Sequence, residues 1–241
     1  KWYGYITQIA RMFDKQMHNE YIFCSYLAKV IPADPSVPFA LGDRVKLEYY
    51  NLEKTFEGSI DLVKEEKGVL PVTPARYKRI LFYPLENKAE GQTIFNVDDS
   101  ENAKFCNALR REGFEVTEFI PKAGFEGMMT PIKEITDNYD LIIYSAALQT
   151  KSNQTVVRIE WANPMGANVP IYCHTVPTIF VSLENPYHLI DVPQVRTFIN
   201  CYCGFDTVIE ALVDKLMGRS TFKGHSPVDP FCGKWEAKIE R

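Results

Sequence analysis

The residues with the clearest chemical potential follow an apolar run in the last third of the sequence. Glu184 comes directly after the run TIFVSL at positions 178–183 and directly before Asn185 and Pro186. A carboxyl group in such a place can act as an acid or a base, and glycoside hydrolysis usually needs two of them beside the bond. With 31 acidic residues in the chain, some pair will be close in space by chance. Glu184 is therefore a catalytic candidate, and its simpler interpretation is a solvated loop glutamate.

Three other side chains are candidates for the rim of a sugar-binding surface. Asn185 adjoins Glu184, and Arg158 lies three residues before Trp161 in a stretch of alternating polarity. Aromatic faces pack against other apolar ring faces, so Trp161 with Arg158 is a candidate stacking surface. The alternative for Trp161 is burial in the core.

Several classes of site find no support in the sequence. The segment YPLEN at positions 83–87 follows an apolar run but lacks the glycines with which a nucleotide-binding loop approaches phosphate. The four histidines are not paired at metal-ligand spacing. The serines lack the G-x-S-x-G pattern of an acyl-transfer nucleophile. We therefore predict no cofactor and no metal.

Composition narrows the partners further. The net charge is -4, and no basic cluster is longer than two residues, so the electrostatic footprint of nucleic-acid binding is missing. No apolar run approaches the roughly 20 residues that a bilayer span needs, and we expect a soluble protein without a membrane span. The six cysteines are scattered through a chain too large to need disulfides, and we predict free thiols. The cellular location stays open.

The rest of the chain must position these residues, and its dominant pattern alternates strands with helices. Apolar runs predict strands at residues 80–83, 114–120, 139–146, 178–183 and 195–202. Apolar stripes with helical spacing lie between most of these strands in the sequence. Asp98 and Glu101 have capping-box spacing, and Gly113 is placed as a helix stop. We predict an α/β fold: a doubly wound, mostly parallel open sheet with helices on both faces, as in Rossmann-like or flavodoxin-like three-layer sandwiches.

Two regions depart from this rhythm. Residues 1–45 favour a helical extension that ends in a proline-rich linker. A stripe with steps of three or four residues predicts a lead-in helix to a domain that spans residues 46–241, and it consists of Tyr49, Leu52, Phe56, Ile60 and Val63. Residues 150–176 mix strand-like alternation with turn residues, and their conformation stays open. The tail from Arg219 is polar and contains proline and glycine, which predicts a surface segment.

Three phrases resemble the C-terminal α/β domain of glycoside hydrolase family 3, in its β-N-acetylhexosaminidase branch. They are VRIEW at positions 157–161, PTIFVSLENPYHL at 177–189 and KLMG at 215–218. The resemblance covers roughly residues 48–235. Lys223 to Val228 stand where the family often ends with G-K-L-P-V, which is a looser match.

The resemblance implies a function for a parent protein rather than for this chain alone. The family carries its nucleophile in an N-terminal (β/α)8 barrel of about 250 residues, and this branch takes its acid/base pair from a barrel loop, so 241 residues cannot hold both domains. We expect an accessory domain of a retaining exo-acting glycosidase, with the barrel domain and a carbohydrate as candidate partners and no catalytic residue of its own. The alternative is a free-standing, non-enzymatic domain that binds carbohydrate or protein.

Overall fold

The computed structural model describes residues 28–32, 45–49, 60–66, 68–86, 100–120, 131–148, 158–162, 166 and 168–233. The chain divides into two compact units, Lys1–Thr55 and Phe56–Arg241. In the first unit, strands β1 (Ala28–Pro32) and β2 (Val45–Tyr49) form an antiparallel pair in which Val30 lies opposite Leu47. The helices predicted before residue 28 lie outside the described residues.

The predicted lead-in helix is wrong at both ends of its stripe, and residues 50–59 between them lie outside the described residues. Tyr49 ends β2, and strand β3 (Asp61–Lys64) occupies the other end of the stripe. Ile60 packs into the core on one face of the sheet and Val63 into the core on the other. Residues three apart in a strand point to opposite faces, so a strand buried on both sides produced the spacing of a helix.

The second unit is built on one six-stranded sheet. Its further elements are β4 (Arg79–Glu86), α1 (Glu101–Arg111), β5 (Glu115–Glu118), α2 (Ile132–Asn138), β6 (Leu141–Ala147), β7 (Thr178–Ser182), a 3-10 turn (His188–Ile190), β8 (Thr197–Asn200) and α3 (Asp206–Leu216). The strand order is β3-β8-β7-β6-β4-β5, and only β3 runs antiparallel to its neighbour. The predicted strands and the doubly wound, mostly parallel architecture are confirmed.

Helix α1 begins differently from the prediction. Ser100 is the N-cap, and its Oγ accepts a hydrogen bond from the Ala103 amide at 3.2 Å. The predicted capping box of Asp98 and Glu101 is therefore wrong, because Glu101 is the first helical residue and its side chain is free to point away from the helix end. Gly113 does end the helix region as predicted, with a positive φ of 91° that favours glycine.

The two faces of the sheet are covered by different kinds of structure. Helices α1 and α3 pack over aliphatic residues on one face, where Leu109 and Leu212 meet Ile143 in one cluster. The short helix α2 and the irregular segments around residues 158–176 and 188–195 cover the other face. No helix or strand is assigned between residues 158 and 176 in the part of this segment that is described.

Candidate functional site

The carboxyl ends of the parallel strands form the edge of the sheet where a ligand site is expected. After β4 the chain continues to β5 on one side of it, and after β6 the chain continues to β7 in the opposite direction. The direction of strand addition therefore reverses between β4 and β6. Open α/β sheets bind ligands in the crevice at such a reversal, beyond the carboxyl ends of the strands. Glu86 ends β4 and Glu184 follows β7 at this same edge, so the site is built from the segments that leave these strands.

The turn after β7 is fixed from inside the protein. The Ser182 hydroxyl donates to the Asn185 carbonyl at 2.5 Å and lies 2.8 Å from His188 Nδ1. Since the hydroxyl has one proton and gives it to a carbonyl, it must accept from His188, which therefore carries its proton on Nδ1. Burial lowers the pKa of His188 to about 4 and so keeps the imidazole neutral. His188 is thus a structural residue that holds the turn in place.

Asparagine side chains complete this turn. Asn185 is buried, and its Oδ1 accepts the Tyr187 amide at 2.9 Å. Asn200, at the end of β8, donates to the Pro186 carbonyl at 3.5 Å. Side-chain bonds of this type replace the backbone pairing that the chain gives up at a turn. The turn therefore presents Glu184 and Tyr187 on a rigid support.

Glu184 meets two other segments at the edge of the sheet. Its Oε1 accepts the Gly204 amide at 3.2 Å, in the turn after β8. Its carboxyl group is also hydrogen-bonded to that of Glu101, the first residue of α1. A Cβ atom on Gly204 would lie 2.5 Å from Glu101 Cδ, so the Glu101 side chain packs directly on this glycine. Three chain segments thus converge on one pair of carboxyl groups.

The pair holds a proton at neutral pH. Burial, followed by the hydrogen bond with Glu184 and its charge, raises the pKa of Glu101 to about 8. The N-terminus of α1 favours the ionised form by up to about 2 kcal/mol in a partly buried site, which is about 1.5 pKa units. This is smaller than the rise from 4.5 to about 8, so it does not offset burial and the neighbouring carboxylate. Glu101 is the donor in this pair, and Glu184 is the acceptor.

Further polar groups surround the pair. The Asn102 amide donates to the Leu85 carbonyl at 3.2 Å and to Glu86 Oε1 at 3.0 Å. Lys104 lies 3.3 Å from Asp206 at the start of α3. Carboxyl groups outnumber cations here, so the local field is negative whenever the pair loses its proton.

The turn after β8 starts with a strained residue. Tyr202 has a φ of 65°, a region that side chains larger than glycine occupy at a cost of about 1–2 kcal/mol. Its hydroxyl donates to the buried carboxyl of Asp61 in β3. Burial, together with this bond, raises the pKa of Tyr202 to about 12. The anchored Tyr202 ends the strand at Asn200, short of the predicted residue 202, and directs the following turn toward Glu184.

The rim candidates are placed as follows. Glu184 is half-buried within the carboxyl pair, and Asn185 lies inside the turn. Arg158 is half-exposed and forms an ion pair with Asp191, next to the 3-10 turn. Trp161 is half-buried against the core of the irregular face, which agrees with the simpler interpretation of this residue. Only Glu184 and Asn185 share one turn.

Sequence reasoning missed Glu101 as a site residue and did not consider Gly204 or Tyr202. A signal for Glu101 was present, because a good cap at Ser100 places it at the first helical position after β4. No sequence signal pairs it with Glu184, which is 83 positions away. Glu101 and Glu184 meet because the connections that follow β4 and β7 come together at one edge of the sheet.

Metal ions and membranes find no support among the residues described. No group of three or more His, Cys, Asp or Glu side chains in this part of the chain could hold a metal ion. None of its helices has the length and apolar character needed to cross a bilayer. No disulfide joins the cysteines in the described part of the chain, which are Cys106, Cys173, Cys201, Cys203 and Cys232.

Individual relatives and solved structures, rather than a family model, indicate the family. No model of a protein family matches the sequence. A Cellulomonas fimi protein named β-N-acetylglucosaminidase/β-glucosidase is 52% identical over 185 residues, which are 75% of this chain and 32% of that protein. A solved structure of the β-glucoside phosphorylase BglX is 39% identical, with a TM-score of 0.65 over 77% of this chain and 32% of its own. A second BglX structure gives 40% identity and the same TM-score.

The chain spans about a third of the length of these relatives. The matched region contains the α/β sheet that the sequence predicted. The chain therefore belongs to glycoside hydrolase family 3 and corresponds to the C-terminal α/β domain of that family.

Proposed function

We propose that this chain is the accessory domain of a retaining exo-acting glycosidase of the β-N-acetylhexosaminidase type, which hydrolyses terminal N-acetylglucosamine-like residues. The observation that carries the proposal is the 52% identity to a protein named for β-N-acetylglucosaminidase and β-glucosidase activity. Relatives at that identity share the fold, whereas the activity depends on the site of the whole enzyme. The proposed partner is an N-terminal (β/α)8 catalytic domain.

The geometry of the carboxyl pair supports a domain that is inactive alone. Retaining glycosidases hold their two carboxyl groups about 5–5.5 Å apart and inverting ones about 6.5–9.5 Å apart, so that the sugar or a water fits between them. The Glu101 and Glu184 carboxyls are instead hydrogen-bonded to each other. A pair in direct contact has no space for an anomeric carbon between its oxygens.

The turn after β7 is the proposed place of contact with carbohydrate. Tyr187 is 52% exposed on a turn that Ser182, Asn185 and His188 hold rigid. An exposed aromatic face offers apolar area to a pyranose ring at small entropic cost. Glu184 and Asn185 form the base of this rim, with Arg158 and Trp161 as its more distant candidates.

A second candidate follows from the solved relatives. Two structures at 39% and 40% identity belong to a β-glucoside phosphorylase. A parent enzyme of that kind would transfer the glycosyl group to phosphate instead of water. A free-standing binding domain without any enzyme activity is the remaining alternative.

The test compares the purified chain with a polypeptide in which a family 3 barrel precedes it. Both are incubated with an aryl N-acetyl-β-glucosaminide and an aryl β-glucoside, with and without inorganic phosphate. We expect no turnover by the chain alone and hydrolysis of the glucosaminide by the longer polypeptide. Acceleration by phosphate would favour the phosphorylase. Turnover by the chain alone that disappears in Glu184→Gln but not in Glu210→Gln would contradict the proposal.

A further inference from the structure

Three segments at the carboxyl edge of the sheet are held together through one pair of side chains. They are the first turn of α1 with Glu101, the turn after β7 with Glu184 and the turn after β8 with Gly204. We propose that the Glu101–Glu184 pair is a proton-dependent latch that closes these segments on one another and releases them when its proton is lost. This inference is independent of the proposed function.

The contacts of the pair require one proton. Glu184 Oε1 already accepts the Gly204 amide at 3.2 Å, so this carboxyl group serves as the acceptor. Two carboxylates cannot share a hydrogen bond, so one of the pair must carry a proton, and the Gly204 amide favours the ionised form of Glu184. A Cβ atom at Gly204 would lie 2.5 Å from Glu101 Cδ, so the Glu101 carboxyl occupies the space that this glycine leaves open. Both carboxyl groups therefore pack against the same glycine.

The charges around the pair favour release once the proton leaves. Glu86 faces it from the end of β4, and Lys104 faces it from the next turn of α1. Lys104 also lies 3.3 Å from Asp206 at the start of α3, which divides its charge between two carboxylates. From the turn after β8, Cys203 and Cys201 are close to one another, and Cys201 also lies near Glu184. Burial raises the pKa of the Cys201 thiol, so this group stays neutral and does not balance the charge left by the lost proton.

The latch therefore has a defined pH range. Burial and Glu184 raise the pKa of Glu101 to about 8, so the pair is closed at neutral pH and repels itself above that value. The unfolded chain ionises Glu101 near its ordinary value of 4.5. The latch therefore contributes its full stability to the folded state below about pH 4.5, and this contribution is lost as the pH rises through about 8. Opening frees the turn that carries Tyr187 from α1.

The first measurement is a titration of the wild-type chain by carbon-detected NMR of glutamate side chains, with assignment by Glu101→Gln. We expect the Glu101 carboxyl signal to titrate near pH 8. Titration below pH 6 would overturn the latch. This readout needs only the wild-type fold, so it decides the matter even where a variant folds poorly.

The second measurement is hydrogen exchange at the Gly204 amide between pH 6 and 10, corrected for the intrinsic exchange rate. In the wild type we expect protection to fall on the order of tenfold per pH unit above about 8, since each unit is a tenfold change in the ionised fraction. Glu101→Gln donates an amide hydrogen at every pH, so its protection should stay constant. Glu210→Gln, an exposed change on α3, should behave as wild type. Equal profiles for the wild type and Glu101→Gln would refute the proposal.

Discussion

The two faces of the central sheet are buried equally but are built in different ways. One face carries mostly aliphatic side chains, with Phe82 against Phe105, under α1 and α3, two helices of 11 residues each. The other carries five stacked rings, Phe119, Tyr83, Tyr144, Phe180 and Phe198, whose successive centroids lie 4.3, 4.3, 5.9 and 5.2 Å apart. Tyr83, Tyr144, Phe180 and Phe198 are direct partners in the strand register.

The difference shows two ways to cover a parallel sheet. A helix brings its own backbone hydrogen bonds and a regular apolar stripe, so it covers a face made mostly of branched aliphatic residues. Irregular segments cannot supply such a stripe, and the stacked rings fill most of the second face from the sheet itself. We expect the helical face to be the less adaptable of the two.

The largest effect is expected for a charge in the middle of the sheet. Ile143 is fully buried in β6 under the helices, and Ile143→Asp places an unpaired carboxylate there. The cost of several kcal/mol is comparable with the whole stability of a typical domain, so we expect loss of the cooperative thermal transition in circular dichroism. Ile132→Asp, at a half-exposed position on α2, is the control. An unchanged midpoint for Ile143→Asp would show that β6 is not central.

A smaller effect should distinguish the two faces. Ile142 and Ile143 are neighbours in β6, equally buried and pointing to opposite faces. Truncation to alanine costs about 2–5 kcal/mol, depending on how far the surroundings collapse into the cavity. We expect Ile143→Ala to cost more than Ile142→Ala in urea unfolding, because α1 and α3 relax less than irregular segments. The reverse order would mean that the stacked rings make their face the more rigid one.

The smallest effect is a difference in pH dependence. His188 lies beside the irregular face, and burial lowers its pKa to about 4 from an ordinary 6.5. As the pH falls, the unfolded chain binds a proton at this histidine before the folded chain does. The stability that neutral His188 contributes is therefore complete above about pH 6.5 and is lost as the pH falls toward 4, by up to about 1.4 kcal/mol per pH unit. The Glu101 latch beside the helical face has the opposite sign.

Chemical denaturation between pH 4 and 7 tests this prediction. His188→Gln should be less stable than the wild type at pH 7, because it loses the bond to Ser182, but its stability should depend less on pH. His174→Gln, at an exposed position, should retain the wild-type slope. Identical slopes for His188→Gln and the wild type would mean that another group causes the acid sensitivity.

The fold was predictable where local signals and global packing agree. Strands β6 and β7 are continuous apolar runs, which parallel strands covered on both faces require. Helix α3 follows an unbroken stripe from Val208 to Leu216. The lead-in segment failed because the bulged strand β3 spaces Ile60 and Val63 as a helix would. Periodicity alone cannot separate the two cases in so short a segment.

The sequence by itself determined the alternation of strands and helices, the family and the edge of the sheet at which Glu184 lies. Each of these depends on residues close together in the chain, whose spacing records which side is buried. Only the tertiary structure decided that Glu184 meets Glu101 and Gly204, and that their shared environment keeps a proton on Glu101. That outcome depends on the distance between separate βα connections and on the burial of the groups they bring together, and a pKa responds to both.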